Sequence, residues 1–155
     1  MTIRALRADE AAEAEQVCLH AFMDSIAPTL GDEGIATFAR IAAASSFVAR
    51  MAGDNAMLVH EHAGRIDGLI EIREGRHVAM LFVAPHAQGR GIGRRLLAGA
   101  RPLLRTRTVT VSAALTSVRA YLGYGFVLAG PPAESSGLTY QPMEWTPVGP
   151  APASA

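Results

Sequence analysis

Apolar positions along this chain repeat with two periods, and the places where the period changes divide it into short elements. Thr2 to Leu6 reads as a first strand. Beyond it Val17, Cys18, Ala21 and Phe22 fall on one face of a helix that Asp9 can cap and that runs to about Phe22. Ile35, Phe38, Ile41 and Ala42 repeat the helical spacing after the start signal Gly31-Asp32, which predicts a second helix. Three strand-like runs follow in series: Ala56 to His62, Ile66 to Arg73 and Arg76 to Val83. Gly64 and Glu74-Gly75 mark tight turns between them, so the three form an antiparallel meander. A helical pattern starts at Arg94 to Ala98, where Gly99 and Pro102 predict a kinked or short helix, because proline removes a helical N–H and clashes one turn back. Thr108 to Ser112 alternates β-branched residues as a strand does. Leu115 to Leu122 reads as a short helix, Phe126 to Leu128 as a strand and Thr139 to Trp145 as a closing strand, with Pro131-Pro132 and Ser135-Ser136-Gly137 between the last two.

Length and composition narrow the class. A chain of 155 residues suits one compact domain that buries roughly two thirds of its unfolded surface. Half the residues are apolar, yet charges break every apolar run well short of the roughly twenty that a membrane-spanning helix needs. The first nine residues lack the apolar centre of a signal peptide, and Cys18 is the only cysteine. Together they lead us to expect a cytoplasmic protein with a buried thiol on its first helix. Residues 1–145 are read as the domain, and residues 146–155 as a Pro/Ala tail that cannot bury enough apolar area to order itself.

Net charge is zero, but its distribution is uneven. Residues 1–75 carry six arginines against twelve carboxylates, and residues 76–155 carry eight arginines against two. The positive excess lies around a glycine-rich segment. It suits a small polyanionic ligand better than nucleic acid, because the whole-chain pI is near neutral and no aromatic-basic interleaving is present.

That segment runs Pro85-His86-Ala87-Gln88-Gly89-Arg90-Gly91-Ile92-Gly93-Arg94-Arg95-Leu96-Leu97, directly after the apolar strand Val78 to Val83. A glycine-rich turn feeding a helix N-terminus aims free N–H groups and the positive end of the helix dipole at one point, where a pyrophosphate is stabilised. A P-loop is excluded, since it needs lysine after its last glycine and the chain contains none. A dinucleotide fingerprint is also excluded: the pattern is G-x-G-x-G, and no acidic residue occurs between Glu74 and Glu134. What fits is Gln/Arg-x-x-Gly-x-Gly/Ala, present as Gln88-Gly89-Arg90-Gly91-Ile92-Gly93, and here the chain resembles the GCN5-related N-acetyltransferase (GNAT) superfamily.

The resemblance extends from the flanking Leu81-Phe82-Val83 and Leu96-Leu97 over nearly the whole chain up to Trp145. It implies an α/β GNAT fold, a mixed, mostly antiparallel sheet with helices on both faces. It also implies a cofactor site for acetyl-CoA, as cosubstrate, formed by Leu81, Phe82, Val83, Gln88, Gly89, Arg90, Gly91, Ile92, Gly93 and Arg94. In the family a β-bulge near Leu81 to Val83 splays this strand from the next, Thr108 to Ser112, and the thioester lies in the opening.

A second segment, Ala114 to Phe126, is similar to the C-terminal GNAT motif in which a short helix carries a tyrosine five residues before Gly-Phe. Tyr121 holds that place. The resemblance makes it the acid that protonates the departing thiolate, against a plain packing role; Tyr124, where leucine is usual, is assigned to packing. Ala114 and Thr116 stand where many relatives contact the cofactor through asparagine. An amine acceptor must also lose a proton. His77, eleven residues before Gln88, is the first candidate base, because histone acetyltransferases place a glutamate there and a neutral imidazole suits the task. Glu71 is the second. His60 and His62 lie at i, i+2 without a third ligand, so no metal is expected.

The reading is a direct acetyl transfer to a small-molecule or peptide amine, entering between the first two helices and the Asp24 to Gly31 loop. Neither nucleic acid nor a membrane is expected as a partner, and a homodimer is left open. The alternative is a GNAT-like domain that binds acyl-CoA without catalysis.

Overall fold

A computed structural model of the chain describes residues 2–147, so residues 148–155 of the expected tail lie outside the described residues. The strands are β1 (Thr2–Ala5), β2 (Asn55–His62), β3 (Arg65–Arg73), β4 (His77–Val83), β5 (Val109–Ala114), β6 (Val127–Leu128), β7 (Ala133–Ser135) and β8 (Leu138–Trp145). The helices are α1 (Ala11–Ser25), α2 (Asp32–Ala42), α3 (Ala44–Met51), α4 (Ile92–Ala100) and α5 (Val118–Tyr124). All strands join one sheet in the order β1-β2-β3-β4-β5-β8-β6, with β7 also on β8. Every pairing is antiparallel except β4 with β5.

The central strand explains why the sheet is covered on both faces. Every residue of β3 between its terminal arginines is buried, and the period of two sends alternate side chains to opposite layers. Leu69 enters the core formed with α1 and α2 around Phe22, Phe38 and Met80. Ile70 and Ile72 enter the other core, with Leu96 and Leu97 of α4, Val111 and Phe126. Phe22 and Phe38 stack at 4.0 Å between ring centroids, and Phe38 meets Phe82 of β4 edge-on at 5.3 Å, tying two helices to the sheet. Such pairs each add about 0.5–1.5 kcal/mol beyond their buried area.

The mixed sheet, the meander and the helices on both faces agree with the sequence reading; the differences have local causes. Asp9 does not cap α1. It sits in a 3-10 turn, Ala8–Glu10, and it is Glu10 that accepts from the Arg7 backbone N–H (3.0 Å) and from the Arg4 guanidinium. Those donors hold the Glu10 carboxyl down to about 2. Helix α3 and strand β7 carry too short a pattern to have been read: α3 buries only Phe47, and β7 is exposed throughout. Helix α4 is short rather than kinked. Gly99 lies within it where its backbone approaches Ile3 of β1, and Pro102 falls in the next turn, Arg101–Leu103.

The bulge is also displaced. Glu71 pairs with Met80 but Ile72 pairs with Val78, which leaves Ala79 as the extra residue of β4, two positions before Leu81. Strands β4 and β5 pair only at His77 with Thr110 and Val78 with Val111, so they part after Val78. The gap in the sheet therefore spans the whole second half of β4.

Candidate active site

Strand β4 runs out of that gap into the turn Pro85–Ala87 and then Gln88 to Gly91, where α4 begins. Gly91 is the N-cap residue with φ +79°, a left-handed conformation that costs any other L-residue roughly 1–2 kcal/mol. A Cβ there would meet nothing within 4 Å, so the requirement is conformational, and open space lies over it. No side chain caps α4 and no acidic residue occupies its first turn, so the N–H groups of that turn and the positive end of the dipole face the space unopposed. Gln88 fixes the approach, its side-chain amide donating to the Val83 carbonyl at 3.0 Å.

Over this loop lies α5. The Tyr124 hydroxyl comes so near Gly93 that a Cβ there would push the tyrosine side chain aside, so glycine at 93 lets the Tyr124 ring lie close over the loop. Arg94 donates to the Gly123 carbonyl at 2.9 Å and lies 5.7 Å from the Tyr124 ring centroid. Between loop and helix is a cavity of about 460 Å³, lined by Leu81, Phe82, Val83, Gln88, Gly89, Gly91, Ile92, Gly93, Arg94 and Tyr121 among others. These are the expected cofactor residues except Arg90, which does not line the cavity and instead offers its carbonyl to Arg95 at 2.9 Å. Residues not foreseen as lining are Ala21, Ser25 and Ile26 of the α1 end, and Ser117, Ala120 and Tyr124. Thr116, the position where the asparagine contact is missing, lines it as well.

A second cavity, about 480 Å³, opens on the other side of the gap. Its walls come from Phe22, Ile26, Leu30, Phe38 and Ile41 on the helical side, and from β4, β5 and the β7–β8 turn. That turn is docked on α2 by Thr37, whose hydroxyl donates to the Ser136 carbonyl at 2.7 Å. The two cavities share Ile26, Leu81, Phe82, Ser117 and Tyr121.

Tyr121 is thus the one titratable residue common to both linings. Its ring is only 6% exposed, packed edge-on against Tyr124 and Phe126 at 5.8 and 5.1 Å. Its hydroxyl makes no hydrogen bond to any described residue, yet it is not among the sealed polar atoms, so the oxygen opens onto the cavities. Burial, aided by Tyr124, pushes its pKa well above that of an ordinary tyrosine, which keeps the proton on the oxygen.

The two candidate bases are placed elsewhere. Glu71 is fully buried and lines neither cavity. Strand parity turns it toward α3, where Arg50 grips it through Nε and Nη2 at 2.7 and 3.1 Å and Asn55 donates at 2.6 Å. His77 also lies outside both linings. Its Nδ1 is 2.8 Å from the Thr110 hydroxyl, and burial, then the charges of Arg73 and Arg76, bring its pKa down to about 4. His60 is buried and bonds Asp67 within the fold, whereas His62 is exposed at the end of β2. Cys18 is sealed in the core, and burial holds its thiol protonated.

Comparison with known proteins assigns the chain to a family and agrees with its fold. The profile of the acetyltransferase (GNAT) domain matches residues 26–147, and the chain belongs to that family. A GCN5-related N-acetyltransferase from Rhodopseudomonas palustris superposes with a TM-score of 0.78 at 22% identity, covering 94% of each chain. PaiA N-acetyltransferase from Thermoplasma acidophilum, solved with coenzyme A, gives 0.76 at 18% identity over 94% of this chain and 99% of its own. YncA from Salmonella typhimurium, solved with its cofactor acetyl-CoA, gives 0.68 at 22% identity over 100% and 99%. At these identities the likeness establishes the fold. No curated protein sequence matches the chain.

Proposed function

We propose that the protein is an acetyl-CoA-dependent N-acetyltransferase that passes the acetyl group directly to a primary amine. The observation that carries this is the position of Tyr121, a buried phenol whose unpaired hydroxyl stands where a loop built for pyrophosphate and an open second cavity meet. Acetyl-CoA binds with its pyrophosphate on the N–H groups of Gln88 to Gly93 and its pantetheine along the unpaired half of β4, whose free edge offers backbone donors and acceptors. The acceptor amine comes from the second cavity. As nitrogen attacks the thioester carbon the N–C bond forms and the C–S bond breaks; the sulfur takes a proton from the Tyr121 hydroxyl, which solvent replenishes.

The amine's own proton leaves through water. Neither a carboxylate nor an imidazole is among the residues lining the second cavity, and this replaces His77 and Glu71 as bases in our reading. A non-catalytic acyl-CoA sensor needs no open acceptor side, so the second cavity favours the enzyme. The test is free-thiol release from acetyl-CoA across a panel of amino acids, polyamines, aminoglycosides and peptides, run beside a thermal-shift titration with acetyl-CoA. A stabilisation of about 2.7 kcal/mol is expected at a hundred times the dissociation constant. No shift at saturating acetyl-CoA would remove the basis for the reading.

A further inference from the structure

We propose that the acceptor is an amine carried on an apolar body that ends in a carboxylate, and that Arg73 is the residue that selects for it. The inference rests on the acetyl-transfer reading and adds the class of substrate. Of the residues lining the second cavity, Arg73 is the only one with a full charge; the rest are apolar or hydroxyl-bearing, and none is acidic. Among the described residues Arg73 has no ion-pair partner and no side-chain hydrogen bond. Its neighbour Arg76, in contrast, is neutralised by Glu74 at 2.6 Å. The field of Arg73 is nonetheless felt locally, since it is one of the causes that hold the His77 imidazole neutral. A free guanidinium at the end of an apolar cavity is a receptor for a carboxylate, which it can hold through two parallel N–H donors.

The same lining argues against the acceptor suggested by gross charge. The N-terminal half is acidic, which would suit a polyamine, but its carboxylates do not reach this cavity. A second ammonium inside it would find no counter-charge and would face Arg73. Register sets the spacing. Arg73 pairs with His77 at the start of β4, and Leu81, where the cavities meet, pairs across the bulge with Ile70, three residues from Arg73 on β3, about 10 Å at 3.3 Å per residue. After the reach of the guanidinium is allowed for, amine and carboxylate stand about 4–8 Å apart, the span of one or two extended residues. Between them Phe22, Ile26, Phe38 and Met80 supply an apolar wall. A short apolar peptide with free amino and carboxyl ends meets all three requirements.

The test compares Phe-Leu and Leu-Leu with their C-terminal amides and with spermidine, reading CoA thiol release and, with CoA bound, the thermal shift each acceptor adds. We expect kcat/KM for the free acids to exceed that for the amides by roughly ten- to a hundredfold, the range of a charge-assisted hydrogen bond, and chiefly through KM. Arg73→Gln should bring the two within about threefold of each other, and Arg73→Lys should restore part of the gap. Because the side chain is exposed and unbonded, neither variant should lower the CoA-induced shift. The proposal is overturned if amides or spermidine are acetylated as well as the acids, if the gap survives in Arg73→Gln, or if acetyl-CoA binds but no free acid is acetylated or bound. Absence of any acetyl-CoA shift is a different result and takes the acetyl-transfer reading down with it.

Discussion

The two cavities that meet at Tyr121 are nearly equal in volume and opposite in construction. The cavity beside the glycine loop is made largely by one continuous strand, turn and helix, from Leu81 to Arg94, and faces backbone N–H groups at a helix start. The second cavity is assembled by side chains from both early helices, β4, β5 and the β7–β8 turn, with no backbone cradle and a single charge. A backbone site tolerates almost any side chain that permits the loop, so it constrains the chain to a short motif. A side-chain site can be rewritten residue by residue without disturbing the loop. One sheet can therefore keep its cosubstrate and change its acceptor.

The largest expected effect breaks the cofactor side alone. Gly91→Asp forces a side chain onto a φ of +79° and aims a carboxylate at the pyrophosphate, where nothing now lies within 4 Å. Strain of about 1–2 kcal/mol is the smaller part. Repulsion within the anion site should abolish the acetyl-CoA thermal shift and reduce turnover to background, with the ligand-free protein still folded. A shift of normal size in this variant would mean that the pyrophosphate sits elsewhere.

Next in size is the wall behind the acceptor cavity. Arg50→Met leaves the fully buried Glu71 carboxylate with Asn55 as its remaining partner, and breaking a buried pair in this way costs about 3–5 kcal/mol. Urea titration should register that loss, and the double variant Arg50→Met/Glu71→Leu should recover most of it. If stability is unchanged while the pH–rate profile moves, Glu71 belongs to the chemistry after all.

Tyr121→Phe tests the junction. The ring and its contacts with Tyr124 and Phe126 remain, and only the oxygen that opens onto the cavities is lost. Acetyl-CoA binding should persist while kcat falls on the order of ten- to a thousandfold. A kcat within twofold of wild type would show that the thiolate leaves unaided; loss of both stability and binding would assign the tyrosine to the core.

How far the chain could be read without coordinates follows from the same contrast. The glycine loop and the helix it opens were legible because their residues are contiguous and the glycines at 89 and 91 answer to a backbone conformation, which leaves a mark in sequence. Even there, Gly93 also answers to the Tyr124 side chain lying close over it, a tertiary contact that no spacing encodes. Tyr124 had been assigned to packing; it packs over Gly93 and also lines the cofactor cavity. The second cavity was legible only in outline: the first two helices and the Asp24 to Gly31 loop do supply Phe22, Ile26, Leu30 and Phe38 to its lining, while the residues facing them leave no local pattern. Arg73 ends its strand as any solvated arginine would, and the turn at Ser135 and Ser136 belongs to a three-residue strand without an apolar pattern. Glu71, the second candidate base, is held inside the fold instead. Its partner Arg50 lies on a helix that the hydrophobic pattern did not disclose, twenty-one residues away.

The smallest expected effect concerns His77. Its imidazole lines neither cavity and is bonded to Thr110, so His77→Ala should change kcat/KM by no more than about twofold at neutral pH. With the wild type, log kcat/KM should rise with unit slope toward the pKa of the acceptor amine, because only the amine's own deprotonation limits attack. Stability should respond instead. The folded-state pKa of about 4 lies below the usual value of 6.5, so the unfolded chain binds the proton first as the solution is acidified. The contribution of the neutral imidazole is therefore complete above about pH 6.5 and is lost as the pH falls toward 4. His77→Ala should flatten the stability profile across that window, measured by urea denaturation at half-unit intervals. Should the substitution leave that profile unchanged and remove an inflection from the pH–rate curve, the proton leaves the amine through His77 and the water route is wrong.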